Sequence, residues 1–138
     1  MPEERGIWIW GPPRVGKSYL ARNAWGERPY IKPQNKWWDG YNGQDTVLIE
    51  DLDDKGDCLG HLLKLWSDSY ALEGEIKGAT IALNYSRLVV TSNYSIEHIF
   101  GYDPEAPGMT EKKKYSANEL VKALESRFKI IYINKREE

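Results

Sequence analysis

Hydrophobic positions along this chain fall in short runs that switch between two periods. Gly6-Ile7-Trp8-Ile9-Trp10 is apolar and rich in β-branched and aromatic side chains, which predicts a strand over 5–10. Residues 17–25 then space their apolar side chains at helical intervals, and Gly26 is placed to end that helix in a left-handed conformation. Pro29-Tyr30-Ile31-Lys32 reads as a short strand stopped by Pro33, and residues 35–43 carry turn formers at both ends with no clear period. Thr46-Val47-Leu48-Ile49 is continuously apolar, as expected of a strand buried on both faces. Beyond it Asp57 is placed to cap a helix with Leu59, Leu62, Leu63, Trp66 and Tyr70 on one stripe. Extended arms around Gly74 to Gly78 predict a β-hairpin, and Arg87-Leu88-Val89-Val90-Thr91 predicts another buried strand. Ser95 caps a short helix over Ile96–Phe100. From 101 to 115 the chain is charged and rich in Gly and Pro. Ser116-x-x-Glu119 then forms a capping box for a helix carrying Leu120, Val121, Leu124 and Phe128 at helical spacing. Ile130-Ile131-Tyr132-Ile133 is the last strand. There is no internal repeat. Strands alternating with helices and one hairpin predict an α/β fold with a mainly parallel central sheet.

Composition narrows the picture. At 138 residues and 41% hydrophobic, the chain suits one domain with a real core. Nineteen basic and 21 acidic residues leave a net charge of −2, so any nucleic-acid contact must come from a local patch. The single cysteine, Cys58, excludes an internal disulfide and suits a reducing compartment. The N-terminal apolar run is too short for a signal h-region or a membrane span, so no membrane partner is expected. Six tryptophans and nine tyrosines are expected mostly as core or interface anchors.

The chemistry concentrates between the first strand and the first helix. Gly11-Pro12-Pro13-Arg14-Val15-Gly16-Lys17-Ser18 has the form G-x-x-x-x-G-K-S, a phosphate-binding P-loop in strand–loop–helix context. Its glycines let backbone N–H groups turn toward phosphate oxygens, and the helix that follows adds its positive dipole end. Lys17 can reach the β- and γ-phosphates, and the Ser18 hydroxyl can ligate Mg²⁺. The stretch from Gly11 through Tyr19 is therefore expected to bind a nucleoside triphosphate, with ATP and Mg²⁺ as cofactors. About thirty residues on, the apolar strand ends in Glu50-Asp51, and ligands in open α/β sheets gather beyond such strand ends. One carboxylate can help hold Mg²⁺ and the other can act as general base on water. Metal is assigned mainly to Glu50 and water activation mainly to Asp51, with a shared or exchanged division as the alternative. Asp53 and Asp54 read as solvated loop charges. Asn93, after Val89-Val90-Thr91-Ser92, is placed to hydrogen-bond both the attacking water and a γ-phosphate oxygen; the alternative is a plain helix cap, for which Ser95 is better positioned.

In this order, the P-loop, Lys36-Trp37-Trp38-Asp39-Gly40-Tyr41, the acids after Val47, Lys77-Gly78 in a hairpin and Thr91-Ser92-Asn93 resemble the circovirus-like replication initiators. These are the Rep proteins of circular single-stranded DNA viruses, and the likeness is to their superfamily 3 helicase domain. It covers nearly the whole chain, and Lys-Trp-Trp-Asp-Gly-Tyr is its most specific motif. The resemblance implies an AAA+-like P-loop ATPase with a five-stranded sheet in the order 5-1-4-3-2. It further implies ATP-driven 3′-to-5′ translocation on single-stranded DNA by a hexameric ring, in a host nucleus. Lys77 and Gly78 would then lie at a hairpin tip that meets DNA phosphates without reading sequence, against the commoner reading of a solvated lysine. Arg127 would be an arginine finger reaching a neighbour's γ-phosphate; a cation at a helix C-terminus is the plainer account. Arg22 and Arg87 are weaker candidates. Lys112-Lys113-Lys114 reads mainly as a solvated charge run, and Trp37 and Trp38 as packing.

Two departures bound the transfer. The family's nicking site uses two histidines one residue apart, whereas His61 and His98 stand far apart here. The chain also starts a few residues before the first strand, so the helical segment that helps build the ring is expected to be missing. Residues 1–138 are thus expected to form one ATPase domain, lacking the nicking domain and able to remain monomeric in isolation. The rival readings are a P-loop small-molecule kinase and a non-catalytic nucleotide-binding module.

Overall fold

The computed structural model describes residues 5–68 and 72–135. Five strands form one sheet: β1 (Gly6–Trp10), β2 (Tyr30–Ile31), β3 (Thr46–Leu52), β6 (Arg87–Ser92) and β7 (Phe128–Tyr132). Their spatial order is β2-β3-β6-β1-β7, and each adjacent pair is parallel. A separate antiparallel pair, β4 (Leu72–Ile76) and β5 (Ala79–Leu83), turns at Lys77-Gly78. The helices are α1 (Lys17–Asn23), α2 (Gly60–Trp66), α3 (Ile96–Phe100) and α4 (Glu111–Arg127).

Continuous apolar strands bury both faces of the sheet, and alternate residues serve opposite layers. Trp8, Val47, Ile49, Leu88 and Val90 face the larger core, which α2, α3 and α4 complete with Leu63, Trp66, Phe100 and Leu124. Ile9, Leu48 and Val89 face the smaller one, closed by Ala21 of α1. Trp8 is fully buried and meets Phe100 and Phe128 edge-on at 6.2 and 5.8 Å. A Cβ at Gly6 would come within 2.6 Å of the Phe128 ring, so glycine is what lets β7 lie against β1.

Trp38 explains the aromatic motif before β3. It is fully buried, stacks on Tyr85 at 5.5 Å and on Tyr30 at 5.9 Å, and takes Trp66 edge-on at 5.3 Å. Its backbone N–H donates to the Glu75 carbonyl, Trp37 bridges the same residue, and Lys36 lies 3.4 Å from the Glu75 carboxylate. The motif pegs the β4–β5 hairpin to the domain. Gly74 allows this approach, since a Cβ there would sit 2.7 Å from the Trp38 ring.

Three local expectations are corrected. α4 begins at Glu111, with the Thr110 hydroxyl accepting from Lys113 N, so Ser116 lies inside the helix and caps nothing. The cause is intrinsic preference: Glu, Lys and Tyr at 111–115 propagate a helix once Thr110 caps it. Asp57 is not an N-cap either. Asp53 takes that place, accepting from Lys55 N at the start of a 3-10 turn over Asp54–Leu59 that runs into α2. The third is β3, which continues through Leu52 with a register shift against β6 between Ile49 and Leu52. Tyr70 falls outside the described residues.

Candidate functional site

The loop between β1 and α1 is shaped by its glycines. Gly11 has φ +155, and a Cβ on it would fall 1.8 Å from the Ile133 carbonyl oxygen; Gly16, at φ +90, leads directly into α1. Arg14 also adopts a positive φ, +67. The loop is tied to the sheet by Gly11 N donating to Ser92 O at 3.2 Å and by Ile133 N donating to Trp10 O at 2.9 Å. Lys17 is buried at the loop's base, its Nζ donating to the carbonyls of Gly11 at 2.9 Å and Pro12 at 2.6 Å. Burial lowers its pKa, and the negative charge of Asp51 partly offsets that shift.

Pro13, Arg14, Gly16, Lys17, Ser18, Tyr19, Asp51 and Asn93 line one cavity of about 290 Å³. The structure therefore gathers the loop, one strand-tip acid and the strand-tip amide. Parallel pairing achieves this: β1, β6 and β3 are neighbours, so their carboxyl ends lie side by side.

Glu50 is not among those lining residues. Both of its carboxylate oxygens accept from Arg22 of α1, at 2.6 Å from Nε and 2.7 Å from Nη2, a bidentate ion pair. The adjacent acids thus part company, one to α1 and one to the cavity. Arg87 is also engaged, with Thr46 Oγ1 at 2.7 Å and Asp45 at 3.7 Å.

Arg127 stands at the other end of the sheet. It precedes Phe128, which pairs with Gly6 at the start of β1, so the length of β1, about 13 Å, separates it from the β1–α1 loop. Its Nη2 lies 3.9 Å from Asp68 Oδ2, and its Nη1 is buried with no hydrogen-bond partner among the described residues. Lys77 and Gly78 occupy the hairpin turn, Gly78 at φ +86. Lys114 lies over the Tyr102 ring at 4.9 Å, packing the 101–110 loop onto α4.

Among the described residues no three His, Cys, Asp or Glu side chains gather as a metal site. A divalent cation at Ser18 and Asp51 would therefore draw further ligands from phosphate and water, the usual Mg²⁺ arrangement beside a nucleotide. No helix among the described residues is long and apolar enough to cross a membrane.

A family model described as RNA helicase matches residues 7–94. The Replication-associated protein of Porcine circovirus 1 is 42% identical over 93 residues, covering 62% of this chain and 27% of that protein. That of Beak and feather disease virus is 39% identical over 90 residues, covering 62% and 28%. The Replication-associated protein of Human associated cyclovirus 1 is 32% identical over 104 residues, covering 67% of this chain and 35% of the relative. The matches thus span only about a third or less of these relatives' length.

Proposed function

The chain belongs to the RNA helicase family, and on that premise we propose that it is the ATP-driven helicase domain of a viral replication initiator. The observation that carries this reading is the convergence of Lys17, Ser18, Asp51 and Asn93 on one cavity beyond three neighbouring strands. Residues 7–94, the span of the family match, enclose all four. Counted along the central sheet alone, the strands run 5-1-4-3-2, which supports the narrower reading as an AAA+-like, superfamily 3 motor.

In this mechanism the backbone N–H groups of Arg14 to Ser18 and the Lys17 ammonium hold the β- and γ-phosphates. Ser18 and Asp51 would hold Mg²⁺, which supplies charge neutralisation on the phosphate oxygens. Asp51 takes the proton of the attacking water, and Asn93 fixes that water's orientation. Because Arg22 occupies both oxygens of Glu50, the metal duty first given to Glu50 passes to Asp51, and Glu50 anchors α1. Arg127, distant from its own loop, acts on the γ-phosphate of an adjoining subunit in a ring. The hairpin tip at Lys77-Gly78 contacts single-stranded DNA through its phosphates.

ATP hydrolysis measured with and without single-stranded DNA tests the proposal. Stimulation by DNA is expected, and Lys77→Ala should abolish the stimulation and flatten the salt dependence of DNA binding by about one phosphate contact. Turnover that depends on an added metabolite would instead identify a kinase. Nucleotide binding without turnover in any assembly state would reduce the chain to a binding module.

A further inference from the structure

One peptide group decides where the two strand-tip acids go. Asp51 has φ +54, a left-handed backbone that is uncommon for residues bearing a Cβ and that Asp tolerates better than most. It lies where the β3–β6 register shifts. The peptide joining Glu50 to Asp51 is gripped at both ends: its carbonyl accepts from Gln34 Nε2 at 2.7 Å, and its N–H donates to Thr91 Oγ1 at 3.1 Å. One residue on, the Leu52 carbonyl accepts from Ser92 Oγ at 2.6 Å. Thr91 and Ser92 are fully buried, so no solvent molecule can replace those hydroxyls without opening the sheet.

The geometry points to Gln34 and Thr91 as positioning residues that clamp the Glu50–Asp51 peptide, aim Asp51 into the phosphate cavity and turn Glu50 onto Arg22. This inference rests on the ATPase reading above and deepens it. Thr91 belongs to β6, two residues before Asn93, so the same bond that orients Asp51 also sets its spacing from Asn93. A water activated by one and oriented by the other needs that spacing fixed. Misplacement by about 1 Å at such a site costs on the order of 100-fold in rate.

The test uses the 138-residue chain with Thr91→Val, which keeps shape but removes the acceptor, and Thr91→Ser, which restores it. Gln34→Ala, at an exposed position, probes the other jaw without disturbing the core. Thr91→Val should accelerate hydrogen exchange at the Asp51 amide and lower kcat for ATP about 10–100-fold while KM stays nearly unchanged. Thr91→Ser should recover both, and Gln34→Ala should show the same split more weakly. An Asp51 amide equally protected in Thr91→Val overturns the clamp. Faster exchange with wild-type kcat overturns the positioning role. A wild-type chain that binds ATP but hydrolyses none in any assembly state overturns the motor reading itself, a result distinguishable because it needs no variant.

Discussion

Lys32 shows how far a single side chain can be pushed by its surroundings. It is 2% exposed, its Nζ donates to the carbonyls of Pro33 at 2.8 Å and Asn35 at 2.6 Å, and the rings of Trp38 and Trp66 lie within 5.2 Å. Burial lowers its pKa from 10.5 to about 8. Between those values the unfolded chain still carries a proton that the folded chain has released, so stability rises with pH across the window. Buried Tyr85 and Tyr30 and half-buried Tyr41 act in the opposite sense, their pKa values raised from 10.0 chiefly by desolvation. Above pH 10 the unfolded chain loses those protons first and stability falls. Thermal melts should therefore climb from pH 8, turn over near pH 10, and lose the climb but keep the fall in Lys32→Met. A flat profile between pH 8 and 10 in the parent chain would refute the assignment. Residues whose place is set by their own segment were legible from sequence: Lys17 follows its glycine, Asp51 lies near the end of an apolar strand and Asn93 just past another, and all three line one cavity. Arg22, Gln34 and Thr91 were not, because each acts through a partner 16 to 40 positions away, across a bulge that no local pattern announces.

Among elements, α4 had the plainest interior and the least legible start. Val121 and Leu124 are buried as their spacing predicts, yet two hydroxyl residues six positions apart compete to cap the helix. Thr110→Ala should cost about 1 kcal/mol in denaturant melts, and Ser116→Ala less than about 0.5 kcal/mol. The reverse ranking would restore the later start. The peg formed by Trp38 likewise had no period to betray it. Its meaning emerges only when the hairpin, 34 or more residues downstream, folds back onto its ring. The strands were easier, since burial on both faces writes itself as unbroken apolar runs.

For the whole molecule, the separation of Arg127 from the phosphate loop yields a complementation prediction. Lys17→Ala should abolish nucleotide binding, while Arg127→Ala should keep binding and lose about 10³-fold or more in hydrolysis. Mixed under assembling conditions, the two should regain part of the lost activity, because a shared site can pair an intact loop with an intact arginine. Inactivity of the mixture, with both variants shown to assemble, would exclude a finger acting between subunits.

β1 and β7 run alongside each other for five paired positions, with Phe128 seated on Gly6 at one end and Ile133 pressed against Gly11 at the other. These paired strands thus link the segment that follows Arg127 to the β1–α1 loop. In the ring proposed above, a displacement at the arginine end would be carried along these paired strands toward the β1–α1 loop, a route by which occupancy in one subunit would be felt in the next.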